Sequence, residues 1–277
     1  MSGVGFMVLA VLGFVVQDAA VKWLTGGYTV AEILLLRCLI TLGVVGLAAG
    51  ATSFQQLRTR QLRLHLARGL MLLASAGTFF FAFSRLPLAD AYTIFYMAPL
   101  AMTVFAALLL REKVPRRAAW AIALGLLGVG IVVAPQVEGG TLAAYLACVA
   151  GTVTYSLVGV MTRRLAIEET PLALLFYPCL VMSACTAPLA AWAWVTPGPA
   201  DAGVFVVIGL LWPIATWFFA AALKRAPVAR LAPIEYSSIV WVVAIDYFAF
   251  ATTPATTTLV GSAVIIVACM LLVERRP

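Results

Sequence analysis

Ten apolar stretches, each long enough to cross a bilayer, are joined by loops so short that little chain is left for a soluble domain. A spanning helix takes about 20 apolar residues, so ten of them consume most of the 277 residues. Only 10% of the residues are charged and 64% are hydrophobic, against roughly a quarter and a half in soluble domains. The apolar runs are continuous. Barrel strands would alternate apolar and polar over about ten residues, so the runs predict helices. The spacing places spans at 4–23, 29–51, 64–83, 89–110 and 118–134, then at 141–160, 171–194, 203–223, 228–248 and 256–273.

The basic residues collect in every second loop. Arg58, Arg60, Arg63 and Arg68 follow the second span, and Arg111, Lys113, Arg116 and Arg117 follow the fourth. Arg163 and Arg164 follow the sixth, Lys224, Arg225 and Arg230 the eighth, and Arg275 and Arg276 end the chain. The opposite side holds Lys22 and Arg85, while Arg37 falls inside the second span. Short basic loops stay cytoplasmic, which predicts cytoplasmic N- and C-termini. The net charge of +7 follows from this asymmetry, and no nucleic-acid partner is needed to explain it. Residues 1–14 lack a charged leader, so the first apolar run reads as a mature helix.

Cys38, Cys148, Cys179, Cys185 and Cys269 all lie in apolar runs, and the only histidine is His65, in a basic cytoplasmic loop. No Cys-x-x-Cys occurs, so neither a disulfide framework nor a metal site has a ligand set. No cofactor is implied.

A 140-residue shift lays residues 79–96 over 219–236 with seven of 18 positions identical: Phe79/Phe219, Ala82/Ala222, Arg85/Arg225, Pro87/Pro227, Ala89/Ala229, Ile94/Ile234 and Tyr96/Tyr236. The first segment falls on an external loop and the second on a cytoplasmic one. With an odd number of spans per copy, the second copy must enter the membrane upside down. The expected fold is therefore an all-α integral membrane protein of ten transmembrane helices, built as two inverted five-helix repeats. Residues 1–135 form the first and 136–277 the second, together one transmembrane domain. Secondary transporters use such repeats, with substrate near the midplane between them.

Residues 83–133 resemble the drug/metabolite transporter superfamily in its EamA-type exporter branch. The likeness is carried by Tyr96 and Pro99 on the fourth span, Arg111–Glu112–Lys113 at its end, and Gly125 and Gly128 on the fifth. Within that branch the chain looks most like YddG-type exporters of aromatic amino acids, which implies efflux across a bacterial inner membrane. Two departures stand out. Thr252 replaces Glu112 in the second copy, and Gln17–Asp18 stand where many relatives have Ser–Asn.

Several residues are candidates to meet a solute. Tyr92, Tyr96, Pro99 and Thr103 share one helical face. Tyr96 and Tyr236 both fall near the midplane, where a phenol offers an apolar face and a hydroxyl. Phe79 is a second aromatic with a repeat counterpart, and Trp212 and Thr216 share a face one turn apart. Gln17, Asp18, Phe79, Tyr96, Pro99, Trp212, Thr216 and Tyr236 form the expected substrate set. Pro99 is also the expected hinge, and Gly125 and Gly128 suit close helix packing.

Charge inside a membrane marks function by default. Lys22, one turn from Asp18, is its expected neutralising partner. Arg37 needs a partner, with Asp18 and Glu32 the candidates. Asp246 sits where it would reach headgroups. Glu235, with no neighbouring cation, is the possible proton carrier.

A solute exporter working by alternating access on amino acids, aromatic or large apolar ones favoured, fits these features as a monomer in the lipid bilayer. A carrier for drugs, toxic cations or other neutral metabolites is the alternative. An intramembrane enzyme lacks GxSxG, HExxH or paired aspartate motifs, and a channel lacks a polar filter.

Overall fold

The computed structural model describes residues 2–110, 116–136, 141–226, 231 and 234–271. Among them every regular element is helical, as a backbone without water must be. The helices are α1 (Gly3–Leu24), α2 (Val30–Ala51), α3 (Leu62–Phe83), α4 (Leu88–Phe95), α5 (Ala98–Leu110) and α6 (Arg116–Val133). Next come α7 (Leu142–Leu165), α8 (Pro171–Trp192), α9 (Pro199–Leu223), α10 (Ser238–Phe250) and α11 (Thr256–Met270). A short 3-10 turn, Phe54–Leu57, lies between α2 and α3. Among the described residues seven segments are long and apolar enough to cross a membrane, with α4 and α5 together making one of them. The Arg111–Glu112–Lys113 motif and Pro227, Arg230, Arg275 and Arg276 lie outside the described residues, as does the start of the span expected at 228–248.

Local chemistry sets the helix starts. Thr29 accepts the Glu32 N–H at 3.2 Å to cap α2, and Thr170 accepts the Ala173 N–H at 3.1 Å to cap α8. Pro171 and Pro199 open α8 and α9, where a missing N–H costs nothing.

The helices pack in pairs: α1 on α9, α3 on α7, α2 on α8, and α6 on α11. In lipid such contacts depend on close packing more than on hydrophobicity. At the α6–α11 crossing, a Cβ added to Gly128 would lie 2.6 Å from Ile265 Cγ1 and 3.0 Å from the Gly261 carbonyl. Gly125 makes the same kind of close approach to Leu100 and Met97. Tryptophans Trp23, Trp120, Trp192 and Trp194 are exposed near helix ends, as interfacial anchors are. Trp217 and Trp241 are exposed on the outer surface of the bundle.

The span expected at 89–110 is broken. Helix α4 ends at Phe95 and α5 begins at Ala98, so Pro99 stands in the first turn of α5, where a ring is tolerated. The break frees carbonyls, and other helices supply donors. Cys269 Sγ donates to the Tyr96 carbonyl at 3.2 Å, and Ser156 Oγ, bonded at 2.7 Å to the Thr152 carbonyl, shares its hydrogen with the Ala98 carbonyl at 3.2 Å. The break thus persists because α7 and α11 satisfy it.

Two further expectations are corrected. Lys22 pairs with Asp246 at 3.2 Å, not with Asp18. Asp246 is fully buried and accepts the Ala89 N–H at 2.8 Å, capping α4 far from any headgroup role. His65 is not in a loop. It is buried in the first turn of α3, 3.5 Å from Glu169 and stacked 4.6 Å from the Tyr177 ring.

Candidate functional site

A chain of aromatic rings runs through the centre of the bundle. Tyr96 meets Tyr236 edge-on at 5.3 Å between centroids, so the two repeat-related tyrosines touch. Tyr92 adjoins Tyr96 at 6.4 Å and Phe95 at 6.3 Å. Phe95 in turn adjoins Phe79 at 5.7 Å and Tyr155 at 5.0 Å. The α4–α5 break presents Phe95 and Tyr96 from a helix end, which lets adjacent residues reach α7 and the segment before α10.

The expected residues are not equally placed to meet a solute. Tyr96 is buried, 3% exposed, and its hydroxyl lies 2.6 Å from Ser238 Oγ. Phe79 is also buried. Tyr236, Trp212 and Thr216 are half-buried, but the Thr216 hydroxyl donates back to the Trp212 carbonyl at 2.7 Å. Pro99 is exposed. Gly125 and Gly128 sit in the helix contacts described above, away from the ring chain.

The charges give the site its polarity. Asp18 accepts from the Tyr92 hydroxyl at 2.7 Å and from the Gln17 amide at 3.2 Å. Arg37 lies within electrostatic reach of Asp18. Its guanidinium is held between the rings of Phe80 at 5.0 Å and Trp212 at 5.2 Å, a cation–π sandwich. Glu32 instead lies near the Val195 N–H, at 3.4 Å. Glu235 keeps an exposed side chain within electrostatic reach of Tyr96, Tyr155 and Tyr236.

Tyr155 was missed by sequence reasoning. It lies within electrostatic reach of Glu235, Arg68 and Asp18 together. Nothing in the α7 sequence sets it apart from a packing tyrosine. Asp90 was missed too. It is buried, accepts from Thr258 at 2.6 Å and from Tyr145, and so ties α4 to α11 and α7. Asp90 is 4% exposed and both its partners come from other helices, so it reads as a structural clamp. Among the described residues no cluster of ligating side chains could hold a metal.

The site is an aromatic-walled interior with two deep carboxylates and one guanidinium, carried by paired helices. A family sequence model, the EamA-like transporter family, matches the chain twice, over residues 1–134 and 142–274. The chain belongs to the EamA-like transporter family. It is therefore a multi-pass membrane transporter of small molecules. This EamA protein is similar along its length to several transporters of known name. It is 21% identical to the S-adenosylmethionine uptake transporter of Rickettsia felis, covering 99% of this chain and 92% of that one. It is 26% identical to the pseudopaline exporter CntI of Pseudomonas aeruginosa, covering 98% and 95%. It is 24% identical to the riboflavin transporter of Vibrio cholerae, covering 86% and 78%. A solved crystal structure shares its fold, with a TM-score of 0.67 at 22% identity over 97% of this chain and 95% of the other.

Proposed function

We propose that this EamA protein exports amino acids, aromatic and large apolar ones favoured, across a bacterial inner membrane by alternating access. Ten spans form two inverted repeats, both termini face the cytoplasm, and one copy suffices. Two observations support the architecture: the family matches each half separately, and the pairing of α1 with α9 mirrors that of α3 with α7. In an inverted five-plus-five arrangement those two contacts exchange under the pseudo-two-fold.

The observation that carries the substrate class is the interior itself. Tyr92 bonds Asp18, Tyr155 lies within electrostatic reach of Asp18 and Glu235 and Tyr236 within reach of Glu235, with Arg37 the cation acting on Asp18. Aromatic walls suit an apolar side chain, and the mixed charge suits a zwitterion better than a phosphate. Transport is facilitated rather than proton-coupled. A cell overfilled with an amino acid needs only a downhill path, and one unpaired carboxylate does not make a coupling site.

Counterflow in liposomes tests this. Trans-loaded phenylalanine should drive saturable tracer uptake without a pH gradient. Tyr236→Ala should raise the half-saturation concentration by about 3- to 10-fold, the loss of one aromatic contact. Non-saturable flux would mean a channel and sink the proposal. Uphill accumulation driven by a pH gradient and lost in Glu235→Gln would overturn the facilitated mechanism. An organic cation that displaces phenylalanine at far lower concentration would favour a drug or toxic-cation carrier instead.

A further inference from the structure

Among the described residues six buried side-chain atoms, on Gln17, Glu32, Arg37, His65 and Ser183, have no hydrogen-bond partner, and two of them are complementary. Gln17 Oε1 on α1 accepts no hydrogen bond and Arg37 Nε on α2 donates none. Gln17 is 4% exposed and Arg37 is 5% exposed, so water from the open surface does not account for either. Buried polar groups are almost always paired, and an orphaned acceptor and an orphaned donor on two interior helices ask for an explanation.

A structural role would join Asp18 to Arg37 directly. Yet among the described residues no carboxylate lies within the 4.0 Å of an ion pair to the Arg37 guanidinium. Asp18 is held by the Tyr92 hydroxyl and the Gln17 amide. Arg37 is held by the faces of Phe80 and Trp212. Ring faces fix a guanidinium plane without consuming its edge donors, one of which is within reach of the neighbouring Cys38 thiol. The two charges are thus kept apart, each oriented by groups that leave hydrogen-bonding capacity free. Fixed charges of both signs that are oriented but not paired are preorganised for a ligand that carries both signs.

Resting on the amino-acid export proposed above, we infer that Gln17, Asp18 and Arg37 form the head-group subsite for an α-amino acid zwitterion. The Arg37 edge receives the carboxylate, and Asp18 with Gln17 Oε1 receives the ammonium. Covalent geometry and two ordinary hydrogen bonds span about 8 Å between such partners, and Arg37 acts on Asp18 electrostatically without forming an ion pair with it. Tyr92, bonded to Asp18, adjoins Tyr96 and Phe95, so the head-group subsite leads into the aromatic wall where the side chain lies. A simple anion would face Asp18 and a simple cation would face Arg37. A zwitterion satisfies both.

The test uses the full-length protein in liposomes, with labelled phenylalanine counterflow and three unlabelled competitors. These are phenylalanine, phenylalaninamide (no carboxylate) and 3-phenylpropionate (no ammonium). Wild type should prefer phenylalanine over either analogue by at least about tenfold, which is about 1.4 kcal/mol. Arg37→Gln should erase the preference over the amide, and Asp18→Asn the preference over the propionate. Equal competition by the amide in wild type overturns the inference without needing any variant to fold, while saturable phenylalanine counterflow keeps amino-acid export standing. Retention of the amide preference in Arg37→Gln overturns it as well. Wild-type tracer uptake no greater than in empty liposomes overturns amino-acid export, and the head-group subsite falls with it.

Discussion

Replacing Lys22 by Met would strand one of the most deeply buried carboxylates in the protein. Lys22 Nζ lies 3.2 Å from Asp246 Oδ1, 2.9 Å from the Leu86 carbonyl and 4.7 Å from the Phe250 ring centroid. Asp246 Oδ2 accepts the Ala89 N–H at 2.8 Å, so the pair joins α1 to α10 and caps α4 at once. At an effective dielectric of about 20, unit charges this close attract by roughly 5 kcal/mol, much of it offset by desolvation. The two partners are not equivalent, because the Asp246 side chain is 0% exposed and that of Lys22 is 13% exposed. Lys22→Met leaves a fully enclosed anion and should cost about 3–5 kcal/mol. Asp246→Asn should cost less, about 1–3 kcal/mol. The lysine would keep the Leu86 carbonyl, the Phe250 ring and some water, and the new amide oxygen could still cap Ala89.

The double variant Lys22→Met/Asp246→Asn should fall short of the summed losses by about 2 kcal/mol, since the second change neutralises what the first stranded. Reversible denaturant unfolding in mixed micelles measures all four corners of the cycle. A coupling within about 0.5 kcal/mol of zero would refute this account. So would Asp246→Asn proving costlier than Lys22→Met.

Two other predictions follow from packing and charge. Gly128→Ala should destabilise by about 1–3 kcal/mol through overpacking, whereas Gly130→Ala, with nothing within 4 Å of its added Cβ, should change the thermal midpoint little; equal effects would mean that α6 and α11 are not in close contact. Reporter fusions after Pro277 and within 197–202 should show cytoplasmic and external placement respectively, and an external C-terminus would sink the ten-span inverted arrangement.

Helix boundaries were largely legible without a structure. The spans expected at 4–23, 29–51 and 64–83 differ by at most two residues at either end from Gly3–Leu24, Val30–Ala51 and Leu62–Phe83. The break between α4 and α5 was not legible in full. Pro99 marks a weak point, but whether a helix bends or stops there depends on donors from elsewhere, and Ser156 and Cys269 are far away in sequence. The site was only partly visible. The repeat pointed to Tyr96 and Tyr236, which do meet, yet it gave no sign that Tyr96 is sealed by Ser238 or that Tyr155 completes the wall. Local spacing even misled, since Lys22 is one turn from Asp18 but bonds to Asp246, 224 residues on.

By itself the sequence determined the solvent and the secondary structure. A chain so apolar must satisfy its backbone internally once in lipid, so its continuous apolar runs compel helices rather than barrel strands, and short loops compel their close succession. Only the tertiary structure decided which buried charge meets which and where a polar atom is left open. In a membrane interior each charge takes whatever partner the helix crossings bring within a few ångströms. Those crossings are set by small residues and side-chain fit, as at Gly128 and Gly261, which hydropathy and periodicity do not record. The sandwich of Arg37 between Phe80 and Trp212, and its distance from Asp18, exist only because α2, α3 and α9 pack as they do.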